Sequence, residues 1–454
     1  MAPVNSRREA AGASSVPFRE ALAFWAKLGC VSFGGPAGQI AIMHRELVDR
    51  RRWISDRRFL HALNYCMLLP GPEAQQLATY LGWLMHGARG GIAAGALFVL
   101  PSLVLMILLA WGYLAWGHSS WVAGILAGAK PAVVAIVAAA TLRLARRAIG
   151  HPWHVAIAIA AFAIVANHAL PFPAVVGLAA LAGIAGRWIA PGAGVAPIQP
   201  ATGTSPHPPA LHDDETPTPP HALPSQARLA ITLAAGLALW AAPVLALALV
   251  LGASNELTRM ALFFSKAALV TFGGAYAVLP YVVEESVRSG WASAAQLIDG
   301  LALGETTPGP LIMFVAFVGF LGGWARESLG PGLALAAGIA GAGVATWFTF
   351  LPSFVFILAG GPFVERTRGH LGLARPLAAV TAAVVGVIAS LALFLAWKVF
   401  WPGSTGAAPF AGGFDGVAAA LAFAAFVALV RFNAGVIPVI AACAAAGLAT
   451  TAFA

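Results

Sequence analysis

Long runs of apolar residues, interrupted mainly by glycine and proline, dominate the hydrophobic pattern of the chain. Stretches such as 92–116 and 229–251 contain no charged residue. A helix of about 20 apolar residues crosses the roughly 30 Å hydrocarbon core of a bilayer. The runs do not alternate apolar and polar positions, as the strands of a membrane barrel would. The pattern therefore predicts an all-α polytopic membrane protein.

The composition agrees with this interpretation. The 454 residues are 60% hydrophobic and 9% charged, and the mean hydropathy is +0.83, whereas soluble domains carry about 25% charged residues. No cleavable signal peptide is visible in the first 17 residues. The arginines cluster in loops between apolar segments, which gives no support for nucleic-acid binding.

Two regions depart from the apolar pattern and divide the chain. Residues 1–16 are predicted to form a cytoplasmic tail, and 191–226 is predicted to be a disordered proline-rich linker. We expect the remaining parts to be a first repeat at 17–190, a connecting transmembrane helix at 227–254 and a second repeat at 255–454.

The two halves repeat the same motifs in the same order. The stretch "KLGCVSFGG" at 27–35 returns as "KAALVTFGG" at 266–274, 239 residues later. Three further motifs follow in order in both halves: Pro-Gly-Pro at 70–72 and 308–310, Leu-Pro-Ser at 100–102 and 351–353, and a basic residue before proline at 130–131 and 375–376. The order indicates an internal duplication.

The arginine distribution predicts how the two copies lie in the membrane. If the segments around Ser-Phe-Gly-Gly and Pro-Gly-Pro are re-entrant, most arginines, including all of those in 45–58, fall on the inside, as the positive-inside tendency requires. About nine full crossings then remain. The connecting helix would place the second copy upside down, so the sequence predicts two inverted-topology repeats with paired re-entrant or broken helices, a form typical of secondary transporters.

The repeated glycines mark predicted helix breaks. A break leaves backbone groups unpaired, and these must find partners inside the membrane. Glycine lets the backbone turn or approach a ligand, and a helix that begins there points N–H groups ahead of it. The sequence therefore predicts a donor-rich cradle for an oxyanion, formed by Ser32, Gly34, Gly35 and Gln39 in the first half and by Thr271, Gly273 and Gly274 in the second.

Two lysines precede the breaks at the same offset. Lys27 and Lys266 lie about one and a half turns before their glycine pairs. An ionisable residue within a membrane helix is a functional candidate by default. Either the two lysines neutralise a bound anion or their side chains extend to the membrane surface, and both readings remain open.

Two acids lie beside the Pro-Gly-Pro motifs. Glu73 follows the first motif and Glu305 precedes the second. Carboxylates at membrane depth commonly relay protons, so both residues are candidates for proton coupling. Gln75, Thr306 and Thr307 are candidate substrate contacts on the same turns, with local capping of half-helices as the alternative.

Together these motifs resemble the chromate ion transporter family in its long two-domain bacterial form. The resemblance rests on "LGCVSFGGPAGQIAIMHRELV", "PGPEAQQLATYLGW", "SKAALVTFGGAYAVLPYV" and "TPGPL". It implies a multi-pass carrier in the bacterial inner membrane that exports chromate, driven by the chemiosmotic gradient, and so confers chromate resistance. It also implies that sulfate, a similar tetrahedral dianion, competes. A homodimer is left open.

Other function classes fit less well. A carrier or channel for another anion such as sulfate is the main alternative. A membrane enzyme would need a metal-binding or nucleophilic motif, and the sequence contains no DDxxD, HExxH or GxSxG. Cys30, Cys66 and Cys443 are scattered, so neither a disulfide framework nor a metal site is predicted. No catalytic residue, metal or cofactor is expected.

Overall fold

The computed structural model describes residues 16–33, 35–117, 119–189, 210–213, 216, 219–366, 374–404, 408 and 410–453. In these residues the regular elements are helical, apart from one isolated β-bridge between Ile54 and His212. The α-helices are α1 Phe18–Val31, α2 Gly35–His44, α3 Asp56–Leu68, α4 Glu73–Trp116, α5 Ser120–Ala148, α6 Pro152–Ala166, α7 Phe172–Ile189, α8 Gln226–Val250, α9 Glu256–Val270, α10 Ala275–Arg288, α11 Ala294–Thr306, α12 Phe314–Ala325, α13 Ala334–Arg366, α14 Ala374–Phe400, α15 Gly416–Arg431 and α16 Val436–Phe453.

The described helices confirm a polytopic all-α membrane protein. Five of them are long and apolar enough to span a bilayer, lying within α4, α5, α8, α13 and α14. On α8, only 6% of the most apolar window is buried inside the protein. Large apolar side chains such as Leu237, Leu245 and Leu249 project outward from it. A surface of this kind is stable against lipid tails and costly in water.

The predicted breaks appear as pairs of short helices. Helices α1 and α3 contain 14 and 13 residues, which is about 20 Å and too short to cross the membrane alone. Helix α1 ends just before Ser32, and α2 begins at Gly35. In the second half, α9 ends before Thr271 and α10 begins after Gly274.

Helix α4 consists of two antiparallel limbs, 73–85 and 88–116. Its backbone leaves helical geometry at His86 and at Gly87, where φ is +64°. A Cβ atom on Gly82 would lie 2.5 Å from the carbonyl oxygen of Gly90, so only glycine permits so close an approach of the limbs. The first limb therefore completes a helical hairpin with α3, and the second is the long membrane-spanning helix.

The two halves exchange packing partners. Helix α5 packs against α15 and α16, whereas α14 packs against α6 and α7. Small residues bring the backbones together: Gly128 lies against the backbone of Cys443, and Gly386 lies against that of Ala158. Close packing of small residues is typical of helix association in membranes. Each half thus contributes helices to both sides of a shared core.

Part of the predicted linker 191–226 is described by the structure and contacts a loop of the first half. The backbone of Leu211 and His212 pairs with the Arg52–Ser55 loop, with the His212 N–H donating to the Trp53 carbonyl at 2.9 Å. Ala222 is fully buried. The loop's free carbonyl groups explain the docking, because they need partners that the linker backbone supplies. Residues 190–209, 214–215 and 217–218, like residues 1–15 of the predicted tail at 1–16, lie outside the described residues.

Candidate functional site

The break in the first half is bonded to the Pro-Gly-Pro motif of the second. The Gly309 N–H donates to the carbonyl of Ser32 at 2.8 Å. The side-chain amide of Gln39 donates to the carbonyl of Gly309 at 2.5 Å. Both Ser32 and Gln39 are buried. Gly34 lies outside the described residues.

The reciprocal bond occurs in the other half. The Gly71 N–H donates to the carbonyl of Thr271 at 2.7 Å. Each break is thus closed by the Pro-Gly-Pro motif of the opposite half. Backbone groups that the breaks release are satisfied within the protein, as a membrane interior requires.

The serines of the two Leu-Pro-Ser motifs complete this exchange. A Cβ atom on Gly309 would lie 2.5 Å from the Cβ of Ser102, and one on Gly71 would overlap the hydroxyl of Ser353. The φ angles of Gly71 and Gly309 are +130° and +105°, values that residues other than glycine rarely adopt. Both glycines are therefore required by conformation and by space.

The four candidate hydroxyl groups are bonded within their own helix ends. Ser32 and Thr271 donate to the carbonyls of Leu28 and Ala267, each at 2.6 Å. Thr306 and Thr307 donate to carbonyls one turn earlier, at 2.8 and 2.9 Å. In this conformation the hydroxyls cap helices, and a rotation about χ1 would be needed to present any of them to a ligand.

Both candidate acids lie beside the start of α10. A Cβ atom on Gly274 would be 3.6 Å from Oε1 of Glu73. The hydroxyl of Tyr276 donates to Oε1 of Glu305 at 2.7 Å. The structure therefore brings Glu73 and Glu305, which lie in different halves of the sequence, to the same break.

Two arginines supply positive charge near these acids. The charge of Arg147 acts on Glu73, and that of Arg143 acts on Glu305 and Tyr276. The two arginines are one helical turn apart at the end of α5. Together, the two acids and the two arginines make the second break a charged centre.

Buried oxygen atoms without partners surround the exchanged loops. Among the described residues, no hydrogen-bond donor reaches Oε1 of Gln39, Gln75 or Gln76 or the hydroxyl of Ser102. Gln75 uses its amide nitrogen on Thr79, at 3.0 Å. A buried polar atom without a partner costs about 1–3 kcal/mol. These atoms indicate a polar centre that ordered water would complete.

The candidate lysines lie away from this centre. Lys27 is exposed on α1, on the side facing away from the buried side chains of Ala21 and Trp25. Lys266 is exposed and lines a cavity of about 330 Å³ together with Glu284, Glu285 and Arg288. The structure thus brings the breaks, the glutamines and the acids together and does not bring the lysines to them.

Several residues of this centre were not singled out from the sequence. Ser102 and Ser353 were visible only as part of a repeated motif, and that repetition was the available signal. Tyr276 lies two residues beyond the second glycine pair, where the first half has Ala37. Arg143 and Arg147 lie far along the chain from both breaks, so no local pattern links them to the acids.

The model of one protein family, described as "Chromate transporter", matches residues 19–184 and 258–448, one stretch in each half. The chain belongs to the chromate transporter family. Its function class is therefore transport across a membrane rather than enzymatic catalysis. Both matched stretches contain a glycine break and a Pro-Gly-Pro motif, so the family resemblance covers the whole centre described above.

Curated relatives are similar over most of their length. A chromate transport protein of Pseudomonas aeruginosa is 35% identical over 373 residues, which is 82% of this chain and 79% of the relative. One from Cupriavidus metallidurans is 27% identical over 393 residues, 85% of this chain and 84% of the relative. A probable chromate transport protein of Synechococcus elongatus is 28% identical over 376 residues, covering 82% and 83%. No solved structure matches.

Proposed function

We propose that this protein is a secondary active carrier that exports chromate from the cytoplasm. The observation that carries the proposal is the exchange of backbone bonds between the Ser32 and Thr271 breaks and the Pro-Gly-Pro motifs of the opposite halves. It joins two broken helix pairs at one buried polar centre, the arrangement that transporters with internal repeats use for substrate. Family membership and the names of the relatives support chromate as the substrate.

The proposed site lies between the two breaks. Backbone N–H groups at the starts of α2 and α10 bind the dianion, and the amide of Gln39 and the hydroxyls of Ser32 and Thr271 add donors after rotation. Helix N-termini favour anions because their first N–H groups are free and the helix dipole is positive there. Gly35, Gly273 and Gly274 have no side chains that would keep the dianion away from these N–H groups. Gln75, Thr306 and Thr307 line the same centre.

Export of a dianion agrees with the electrical gradient. A membrane potential of 100 mV, negative inside, contributes about 2.3 kcal/mol for each elementary charge that crosses. A dianion therefore gains about 4.6 kcal/mol per 100 mV on leaving the cytoplasm. With the arginine-rich 45–58 segment inside, the two repeats are inverted in the inner membrane, and outward transport would lower cytoplasmic chromate and confer resistance.

We assign proton coupling to Glu73, with Glu305 as a second acid. Glu73 lies beside Gly274 at the start of α10, where a bound dianion would repel an ionised carboxylate. Protonation removes that repulsion. Binding of a proton and binding of the anion would then favour each other, so the two would cross together. The complex carries one net negative charge outward, and the membrane potential, which contributes about 2.3 kcal/mol per 100 mV for that charge, drives its movement. Glu305 is held by Tyr276 and contributes less.

Flux of radiolabelled chromate into everted membrane vesicles tests the function. We expect energised uptake that an uncoupler abolishes, and no uptake in vesicles with the Gly309→Ala variant at the same membrane content. Excess sulfate separates the two substrates. If labelled sulfate is concentrated and chromate is not, the protein is a sulfate carrier. Flux that only equilibrates, with no concentration under any gradient, would identify a channel and contradict the carrier.

A further inference from the structure

A buried ion pair joins the two halves away from the glycine breaks. The ammonium group of Lys130 on α5 lies 3.2 Å from Oδ1 of Asp299 on α11. The hydroxyl of Tyr113 on α4 donates to Oδ2 of the same carboxylate at 3.1 Å. Asp299 is only 5% exposed. Two helices of the first half thus hold one carboxylate of the second.

The surroundings of this cluster are apolar. The ring of Tyr113 packs edge-on against Phe317 at 5.5 Å, and Leu297, Ile298 and Leu301 of α11 are buried beside Asp299. Charges in such surroundings are stable only when paired. A buried ion pair is weak support for stability, and its best-attested uses are in specifying an arrangement or switching between two. A role tied to the arrangement of the halves is therefore favoured.

The cluster lies at the end of the protein opposite the Arg45–Arg58 loop. Tyr113 is three residues from the end of α4, and Asp299 is five residues from the start of α11, so they lie roughly 5–8 Å from those helix ends. In the first half, α3 contacts α13 through a neutral bond, in which the Tyr65 hydroxyl donates to the Phe356 carbonyl at 3.2 Å. The sequence position that corresponds to Asp299 in the first repeat is His61.

We propose that Lys130, Asp299 and Tyr113 form a charged gate that closes one side of the carrier. Opening moves α11 away from α4 and α5 and separates the ion pair. The side chain of Lys130 keeps 30% of its surface exposed, so it can receive the anion as Asp299 withdraws. This inference rests on the proposed carrier function. The moving part of the gate is α11, which carries both Asp299 and Glu305. A single helix therefore connects the gate to the polar centre.

Cysteine labelling tests the gate without any substrate. Ala302 lies three residues beyond Asp299 and is 2% exposed. Ala302→Cys is introduced into a chain whose three native cysteines are replaced by serine, and its reaction with a membrane-impermeant maleimide is followed in vesicles of both orientations. With the pair intact, we expect slow labelling from either side. Asp299→Asn and Lys130→Gln should each speed labelling at least tenfold, from the side opposite the Arg45–Arg58 loop only.

Two further variants separate a gate from a merely structural pair. The charge swap Lys130→Asp with Asp299→Lys should restore slow labelling. The double neutral variant Lys130→Gln with Asp299→Asn leaves no unpaired charge, so it should remain in the membrane and label fast. Arg259→Gln, which removes a surface ion pair with Glu256, is the matched control and should leave labelling slow.

Unchanged slow labelling in the double neutral variant would overturn the gate, and so would equally fast labelling from both sides. Chromate is absent from this experiment, so its outcome is distinct from that of the flux test. A failure of chromate flux with a positive labelling result would contradict the substrate alone.

Discussion

The two glycine breaks have a similar backbone and different side chains. At both, a carbonyl at the end of a short helix accepts an N–H from the Pro-Gly-Pro motif of the other half. Around the first break the polar group is the neutral amide of Gln39, and the corresponding residue of the second half is Val278. Around the second break are Glu73 and Glu305. The backbone is shared, whereas the ionisable groups lie on one side only.

This difference suggests a division of labour. Backbone geometry common to both halves supplies donors that any oxyanion could use. The ionisable groups, added around one break, supply dependence on protons. Two breaks that both lacked ionisable groups could bind an anion, but that binding would not depend on the protonation of a nearby side chain.

Substitution of the shared glycines should have the largest effect. Gly309→Ala places a Cβ atom 2.5 Å from the Cβ of Ser102 at a φ of +105°, so the loop must shift and its bond to Ser32 is lost. We expect no detectable chromate transport at normal membrane content. Gly330→Ala is the matched control, because Gly330 has a similar φ of +114° and, among the described residues, nothing lies within 4 Å of its Cβ position.

Vesicle uptake at matched expression measures both glycine variants. Full activity of Gly309→Ala, or equal loss in the two variants, would contradict the role given to the exchanged bonds. The same comparison applies to Gly71→Ala, whose Cβ would overlap the hydroxyl of Ser353.

Neutralising the acids should separate coupling from binding. Glu73→Gln keeps the size and polarity of the side chain but cannot carry a proton, so chromate uptake should no longer respond to a change of the pH gradient at constant membrane potential. Chromate binding should persist or become tighter, since a negative charge beside Gly274 is removed. Glu305→Gln can still accept the bond from Tyr276 and should retain most transport. An unmodified response of uptake to the pH gradient in Glu73→Gln would remove Glu73 from coupling.

Substitution of Gln39 tests the first break, where the polar group is a neutral amide. Gln39→Leu leaves the buried carbonyl of Gly309 without its side-chain donor, at a cost of about 1–3 kcal/mol. We expect chromate affinity to fall about five- to a hundredfold, with the pattern of uncoupler sensitivity unchanged. Equilibrium binding to purified protein in detergent measures the affinity. Val278→Leu, at the corresponding position of the second half, is the control, and an equal loss there would contradict a specific role for the amide.

The sequence predicted the helical class, both breaks and the motifs that meet at the centre, because apolar runs, glycine pairs and repeats are local signals. It did not predict the exchange between halves. Hydrogen bonds from Gly309 to Ser32 and from Gly71 to Thr271 join residues more than 190 positions apart, and no periodicity encodes such pairing. The order of part of the linker also depended on distant backbone groups.

The same limit applies to charge. Glu73 and Glu305 could be identified as unusual membrane acids, but their approach to one break required the fold. Lys130 was visible only as part of a repeated basic-proline pair, and its partner Asp299 lies in the other half. The offset of Lys27 and Lys266 from the glycines was a regular signal, yet helix rotation places both side chains on exposed faces.

Substitution of Lys27 or Lys266 should have the smallest effect on chromate binding. A charge-assisted contact with the anion contributes about 1.5–3 kcal/mol, so losing one would reduce affinity roughly ten- to a hundredfold. Both lysines are exposed, and Lys266 lies in a cavity with two acids, so we expect Lys27→Ala and Lys266→Ala to bind chromate within about threefold of the unmodified protein, as surface charges screened by salt do. We expect Lys27→Arg to bind chromate with the same affinity as the unmodified protein. Equilibrium binding at low and high ionic strength measures the effect. A tenfold loss of chromate affinity in either alanine variant that persists at high salt would show that this lysine contacts the anion. Its half of the protein would then contribute a positive charge to the site.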